Sequence, residues 1–375
     1  MRESAAIANL AWDGVTEMSV ATSQSGETIA LAEPSFALGL GLTNECNLAC
    51  SFCYRDPTRV DRLSLDQVRG VLGRLPVRSV NLGTGENGLH PEFAAMLDYL
   101  RRQPIKLTIT SNGYSIASLD DAQVAAFKDV EFSLDYPTEA EQDRQRGPGN
   151  WRLLHDQAAR CRRLGVPVTF IAVMMRSNFD RLAAVAGIAR TYDAPLRVNV
   201  YQAVRSDVYA LTYDEYWEGF EALFAHTDVV AIGEPLVRAF AGMPPRRGGC
   251  GLATVRITPR ATVQPCVYWP GAGAPLDLLV DLGAGIAATE PFAETRSVPH
   301  ACAGCSHVAV CGGGCAGRRR LQGALGSPDP YCPVVRGEDR RLAIRLVQGR
   351  ELPKLESACT TIVMARRGVA TAQAG

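Results

Sequence analysis

Charge of one sign is missing from this sequence. Its 39 lysines and arginines are matched by 39 aspartates and glutamates, for a formal net charge of zero. No basic surplus stands ready to neutralise a nucleic-acid backbone or an anionic membrane face. Histidine is scarce, at five in 375 residues, and His90, His155, His226, His300 and His307 have no ligand spacing among themselves. Long apolar runs are absent: nothing approaches the roughly 18 residues of a membrane span. The opening MRESAAIANLAWDG has neither the basic start nor the apolar core of a secretion signal. No internal repeat, Walker-type loop, serine–histidine pair or helical zinc motif occurs. The expectation is a cytoplasmic protein that binds neither nucleic acid nor membrane. Cysteine, by contrast, is plentiful, and twelve thiols in a reducing compartment point to metal rather than to disulfides.

Three of them form Cys46-Asn-Leu-Ala-Cys50-Ser-Phe-Cys53, a C-x3-C-x2-C loop directly after the strand-like run Phe36 to Leu42. Three thiolates this close make a metal site one ligand short. Further β-branched runs follow at 79–82, 106–110, 130–134, 168–174 and 196–201, with helix-length amphipathic stretches between them, including 64–75, 91–102 and 151–164. Ser64-Leu-Asp-Gln67 has capping-box spacing, and Ser118-Leu-Asp-Asp resembles it. Six βα units in a row imply a parallel sheet, either curled into a barrel or open and doubly wound, with ligands at the C-terminal ends of the strands. Those ends are chemically distinctive. After the cysteine loop come Gly83-Thr84-Gly85-Glu86-Asn87, Ser111-Asn112 and Ser133-Leu134-Asp135.

With these residues in view, the chain from Phe36 to about Cys332 resembles the radical S-adenosylmethionine (radical SAM) enzymes. The resemblance implies an α/β fold built on a partial (β/α)6 TIM-type barrel. It implies a [4Fe–4S] cluster on Cys46, Cys50 and Cys53, whose open iron chelates SAM. Phe52 matches the aromatic position beside the adenine. Gly83, Thr84, Gly85 and Glu86 look like the family's Gly-Gly-Glu-Pro turn, with Thr84 for a glycine and Asn87 for the proline. Ser111 and Asn112 lie on the same rim. Ser133 and Asp135 resemble the strand end that approaches the ribose, and Arg146 a downstream arginine able to reach the SAM carboxylate.

The second cysteine group sits in Gly-rich chain: Cys250, Cys266, Cys302, Cys305, Cys311, Cys315 and Cys332. Taken alone, Cys302 to Cys315 could form a structural zinc site. The seven-cysteine pattern resembles the SPASM domain, a small loop-rich C-terminal extension with two auxiliary [4Fe–4S] clusters. Here Ala261 stands where the pattern has glycine. By resemblance Cys250, Cys266 and Cys315 hold the first auxiliary cluster, and Cys302, Cys305, Cys311 and Cys332 the second. With no cysteine between Cys250 and Cys266, the first is expected to keep an open or non-cysteine site. Cys161 and Cys359 read as structural or incidental, the latter in a polar tail. The run Arg318-Arg319-Arg320 reads as a solvated face, and Tyr213 to Phe224 as an aromatic core helix. The expected domains are a 1–35 extension, a 36–235 barrel, a 236–345 auxiliary-cluster domain and a 346–375 tail.

Two activities follow from the resemblance. One is hydrogen abstraction from a ribosomally made precursor peptide, leading to oxidation, cross-linking or epimerisation. The other is dehydrogenation or epimerisation of a small molecule such as a sugar or aminocyclitol. Only 45 residues precede Cys46, too few for the winged helix of about a hundred residues that peptide-modifying members often carry. That weakens the peptide reading without excluding it, since a separate recognition protein could substitute. A flavodoxin- or ferredoxin-type donor would supply electrons. A plain electron-transfer protein would leave the strand-end residues without a role.

Overall fold

The computed structural model describes residues 35–245, 249–347 and 359–366, so the expected N-terminal extension falls outside it but for its last position. Among the described residues eleven strands form one sheet: β1 (Phe36–Leu40), β2 (Val77–Leu82), β3 (Lys106–Ser111), β4 (Asp129–Ser133), β5 (Val168–Met174), β6 (Leu196–Val200), β7 (Thr227–Ile232), β8 (Thr254–Ile257), β9 (Thr262–Gln264), β10 (Ala274–Pro275) and β11 (Thr360–Ala365). Their order is β10-β9-β8-β1-β2-β3-β4-β5-β6-β11-β7. Strands β1 to β6 pair in parallel and in chain order. A doubly wound sheet reverses strand order at a switch point. None occurs across these six, so one right-handed sense of crossover keeps the helices on one face. This is the partial (β/α)6 barrel.

Side-chain alternation separates the two faces of that sheet. Leu38, Leu40, Val80, Leu82, Leu107, Ile109, Val130, Phe132, Phe170, Ala172, Leu196 and Val198 are all buried in the core. Gly39, Asn81, Thr110, Glu131, Ser133, Arg197 and Asn199, on the opposite face, line a cavity. Parallel strands covered on both faces usually read as near-continuous apolar runs, so this polar inner face already marks a site.

Local signals place the helices. Ser64 accepts from the Gln67 N–H while Gln67 reaches back to the Ser64 N–H, a full capping box starting Leu65–Arg74. The second box starts two residues later than expected, with Asp120 capping Asp121–Val124 and Gln123 returning. Ser118 instead donates to the Ser115 carbonyl at 2.8 Å. The difference is reach, since Gln123 is one methylene longer than an aspartate. Tyr213–His226 is the expected aromatic helix, and its Tyr216, Trp217 and Phe220 are fully buried.

The chain from Ser35 onward is one compact unit, and strand pairing crosses the expected boundary at 235/236. β8 runs parallel to β1, Ala37 opposite Thr254, and β9 and β10 extend that edge. The far edge corrects the expected C-terminal tail: β11 lies inside the sheet, antiparallel to both β6 and β7. Its Thr-Thr-Ile-Val-Met-Ala sequence is β-branched and apolar enough for an interior strand.

Candidate active site

At the C-terminal ends of β1 to β6 lies a cavity of about 500 Å³. Cys46, Cys50 and Cys53 all line it, together with Phe52, Gly83 to Glu86, Ser111, Asn112, Ser133 and Arg146. Across from them stand Arg256, Tyr268 and Trp269 from the C-terminal half. Of the expected contact residues only Asp135 is absent from the wall.

The cysteine loop is held open by charged side chains. The Arg55 guanidinium donates to the Asn44 carbonyl at 3.1 Å and the Leu48 carbonyl at 2.6 Å. Arg62 forks onto Glu45 at 2.6 and 2.8 Å. Asn44 bonds both Asp56 and Asp61, and Arg260 clamps the same two aspartates at 2.7 and 3.0 Å. The Cys46 sulfur accepts from the Leu48 N–H at 3.4 Å and the Asn112 amide at 3.6 Å. Such donors suit a thiolate or a sulfur-ligated cluster. Without a metal, burial pushes the Cys46 thiol up to about 11 and also raises Cys50, against the Arg146 charge. Metal binding here must therefore displace protons.

The turn after β2 is strained. Thr84 and Gly85 both have left-handed backbone, φ 74° and 64°. A Cβ on Gly85 would stand 2.4 Å from the Glu45 carbonyl oxygen and 2.5 Å from that of Thr43, so the turn packs directly on the cysteine loop. Thr84 holds a conformation that β-branched residues rarely take, while its hydroxyl bonds Tyr54 at 2.9 Å. Ala261, the second departure from a family glycine, also has positive φ, 55°. Both substitutions thus keep the glycine backbone.

Glu86 is fully buried. It accepts from the Ser111 hydroxyl at 2.5 Å, the Asn112 N–H at 2.9 Å, the Ser115 N–H at 2.8 Å and the Ser115 hydroxyl. Burial raises its pKa and those donors oppose the rise. The carboxylate thus splices the end of β3 to the end of β2, and most of its acceptor capacity is spent within the fold.

Asp135 sits behind the wall. It accepts from Arg146 Nε at 2.7 Å and the Val173 N–H at 2.9 Å, so it aims the arginine and not a ribose. The Arg146 guanidinium lies 5.3 Å from the Phe52 ring centre, and the Arg146 carbonyl faces the Cys50 sulfur at 3.8 Å.

The inner face also carries a polar network that no sequence motif marks. Asn81 donates to Thr108 at 3.0 Å and Thr110 at 3.3 Å, Thr110 donates to Glu131 at 2.5 Å, and Glu131 pairs with Arg197. Its signal is the polar alternate position of each central strand, above all Glu131 and Arg197 inside otherwise apolar runs.

The second cysteine group separates into two gatherings. Cys302, Cys305, Cys311 and Cys332 lie near enough that the charges of neighbouring thiols add to the burial that raises Cys302, Cys311 and Cys332. Cys250, Cys266 and Cys315 form the other. Cys359 corrects its reading as incidental: its sulfur is 3.5 Å from that of Cys250. Among the described residues no three His, Cys, Asp or Glu are arranged to cage a lone metal ion. The arginine run is also corrected. Arg318 and Arg319 are buried because their short helix, Ala316–Leu321, packs beneath these thiols. Arg318 pairs with Glu234 at 2.8 Å and Asp329 at 2.6 Å and stacks over Tyr331. Burial alone would lower its pKa, and the two carboxylates instead hold it well up. Cys161 is a core residue in the helix Asn150–Arg163. His90 bridges Leu63 and Glu92, and His307 stacks on Phe240.

Residues 40–186 match the Radical SAM superfamily model. Over these residues the chain carries a radical SAM domain. Among curated relatives, the mycofactocin maturase MftC of Mycolicibacterium smegmatis is 29% identical over 322 residues, 78% of this chain and 81% of its own. The PqqA peptide cyclase of Xanthomonas euvesicatoria is 26% identical over 345 residues, 81% of this chain and 89% of its own. Among solved structures, anSMEcpe with bound AdoMet superposes with a TM-score of 0.63 at 16% identity, covering 81% of this chain and 92% of its own. Streptococcus suis SuiB bound to the precursor peptide SuiA gives 0.57 at 15%, over 80% and 76%. At these identities the structural likeness speaks for the fold, which is that of radical SAM proteins. Among the described residues no helix is long and apolar enough to cross a membrane.

Proposed function

We propose that this radical SAM protein is a peptide maturase that abstracts hydrogen from a ribosomally made precursor peptide. The observation that carries the reading is convergence: three thiols, the Gly83–Glu86 turn and Arg146 meet on one cavity wall, and relatives spanning most of the chain are named as a maturase and a peptide cyclase. Cys46, Cys50 and Cys53 would hold a [4Fe–4S] cluster, and Phe52, Gly83, Thr84, Gly85, Glu86, Ser111, Asn112, Ser133 and Arg146 would surround SAM, with Asp135 aiming Arg146. Bound by those cysteines, such a cluster would supply the low-potential electron for reductive cleavage of SAM to a 5′-deoxyadenosyl radical.

The chain's own share is positioning and exclusion. Arg55 and Arg62 hold the cysteine loop in one shape before anything binds. Asp135 keeps the Arg146 guanidinium charged and directed. Tyr54, Tyr268 and Trp269 crowd the far wall, where Tyr54 and Tyr268 meet edge to face at 5.6 Å, and keep water from a reactive radical. Residues 36–235 then serve as the SAM-binding barrel and 236–345 as a SPASM-type region. Its first auxiliary cluster is on Cys250, Cys266 and Cys315 and its second on Cys302, Cys305, Cys311 and Cys332, with β11 returning to the barrel. A cytoplasmic setting, a flavodoxin- or ferredoxin-type donor and a separate peptide-recognition protein complete the proposal.

Anaerobically reconstituted protein should release 5′-deoxyadenosine from SAM with reductant, and Cys46→Ala, Cys50→Ala and Cys53→Ala should each abolish it. Incubation with a short peptide encoded beside this gene should change that peptide's mass. Continued SAM cleavage by any of the three variants would refute the cluster assignment. A mass change in a sugar or aminocyclitol, with none in the peptide, would refute the substrate class.

A further inference from the structure

Cys359 was expected to be incidental, and it is instead anchored beside the C-terminal thiols by a strand of the main sheet. It immediately precedes β11, whose Thr360 pairs with Asn199 of β6 and Thr361 with Ile232 of β7. The Thr360 carbonyl accepts from the Gly233 N–H at 2.6 Å. The next residue, Glu234, pairs with Arg318 at 2.8 Å, one turn along the helix that Cys315 caps. Two independent pieces of chain, β11 and Ala316–Leu321, are thereby locked to the same spot.

At that spot four sulfurs meet. Cys359 lies 3.5 Å from Cys250, and the Cys266 and Cys315 thiols are near enough to act electrostatically on that pair. A Cβ on Gly317 would stand 3.6 Å from the Cys266 sulfur and 3.8 Å from that of Cys315. The Cys250, Cys266, Cys315 and Cys359 thiols are all free and not joined in disulfides. They make a complete tetrathiolate set, the ligand complement of a closed [4Fe–4S] cluster. The buried Arg318 cation beside Cys315 offsets part of the negative charge that thiolate ligands bring.

We propose that Cys359 is the fourth ligand of the first auxiliary cluster, so that this cluster is closed by protein and has no iron free for the substrate. The inference rests on the reading that Cys250, Cys266 and Cys315 hold a cluster. It replaces the open site suggested by the gap between Cys250 and Cys266: the missing ligand comes from 93 residues after Cys266, brought in by β11. The substrate would then be bound by the cavity wall and not by this iron.

The test uses full-length protein carrying Cys46→Ala, Cys50→Ala and Cys53→Ala, so that only the C-terminal iron is seen. After anaerobic reconstitution with ⁵⁷Fe this background should hold roughly eight irons per chain, two four-iron clusters. Its Mössbauer spectrum should be that of uniformly thiolate-ligated iron. Adding Cys359→Ser or Cys359→Ala should give about one iron in eight a distinct non-thiolate signature, or yield a three-iron EPR signal after mild oxidation. Added cyanide should perturb the Cys359 variants and leave the background unchanged. Circular dichroism on each variant confirms folding, and Cys359→Ser is the variant that preserves side-chain volume. Spectra unchanged by both Cys359 substitutions, or cyanide binding by the background itself, would overturn the ligand assignment while leaving the cluster in place. A background without iron would overturn the cluster and this inference together. So would a Cys250–Cys359 disulfide in anaerobically purified protein.

Discussion

Single residues carry much of the site's geometry. Gly85 must remain glycine, because any Cβ would strike two backbone carbonyls of the cysteine loop as well as strain a left-handed φ. Gly85→Ala should lose about 2–4 kcal/mol of stability and much of the reconstituted iron, measured by thermal unfolding and iron analysis. Ala261 shows the opposite case. It is left-handed with no hydrogen-bonding side chain to offset the strain, so Ala261→Gly should gain about 1 kcal/mol in denaturant titration. Asp129 controls a pH dependence. Burial, and next the charge of Glu131, push its carboxyl from the ordinary 3.8 up to about 7. The folded state therefore binds a proton that the unfolded chain has already lost between about pH 4 and pH 7. Stability from this group is present below that window and falls as pH rises through it, on the order of 2 kcal/mol in all. Asp129→Asn keeps the acceptor for Thr169 and should flatten that slope in unfolding free energies compared at pH 5 and pH 8.

Among the elements, β11 has the widest consequences. It fills the gap between β6 and β7 and delivers Cys359. Ile362 is paired on both sides, to Arg197 and Ala231, where proline cannot continue the ladder. Ile362→Pro should cost about 3 kcal/mol or more and lower C-terminal iron content along with it. An edge extension would lose only its own fold. The strand was hard to read because the sequence treats residues after 346 as polar chain, and its apolar core of a few residues becomes a strand only beside β6 and β7. The β1 to β6 elements were legible within a few residues, β5 in both bounds, because each alternates an apolar face with a polar one. The Ser64 cap was legible for a local reason too: a box needs only the residues it contains.

At the scale of the whole molecule the C-terminal region has little regular structure of its own. Short helices such as Val308–Cys311 and Ala316–Leu321 bury cysteine, small residues and arginine rather than large apolar side chains, so bound iron should add to what holds them together. Removing iron should therefore affect the regions unequally. The apo protein should become protease-sensitive between about residues 296 and 345, while β1 to β6 remain protected, as limited proteolysis with mass spectrometry would show. The two halves nevertheless meet at the cavity. Arg260 grips Asp56 and Asp61, and Arg256, Tyr268 and Trp269 form its far wall. Loosening the C-terminal region should thus slow SAM cleavage even with all three N-terminal cysteines intact.

By itself the sequence determined the repeating βα pattern, the thiol triplet with its missing ligand and the seven-cysteine pattern, because spacing and alternation are local properties. It also kept Thr84 and Ala261 recognisable as glycine positions filled by other residues. Only the tertiary structure decided which acids and bases are spent inside the fold. Glu86 and Asp135 became splices and not free carboxylates, and Arg318 and Arg319 a buried support and not a solvated face. It alone decided that Cys359 stands with Cys250, Cys266 and Cys315. The Cys250–Cys359 contact spans 109 positions and depends on β11 entering the sheet between β6 and β7. No local pattern carries such a register; it is set by which strand buries the apolar edges left open by the others.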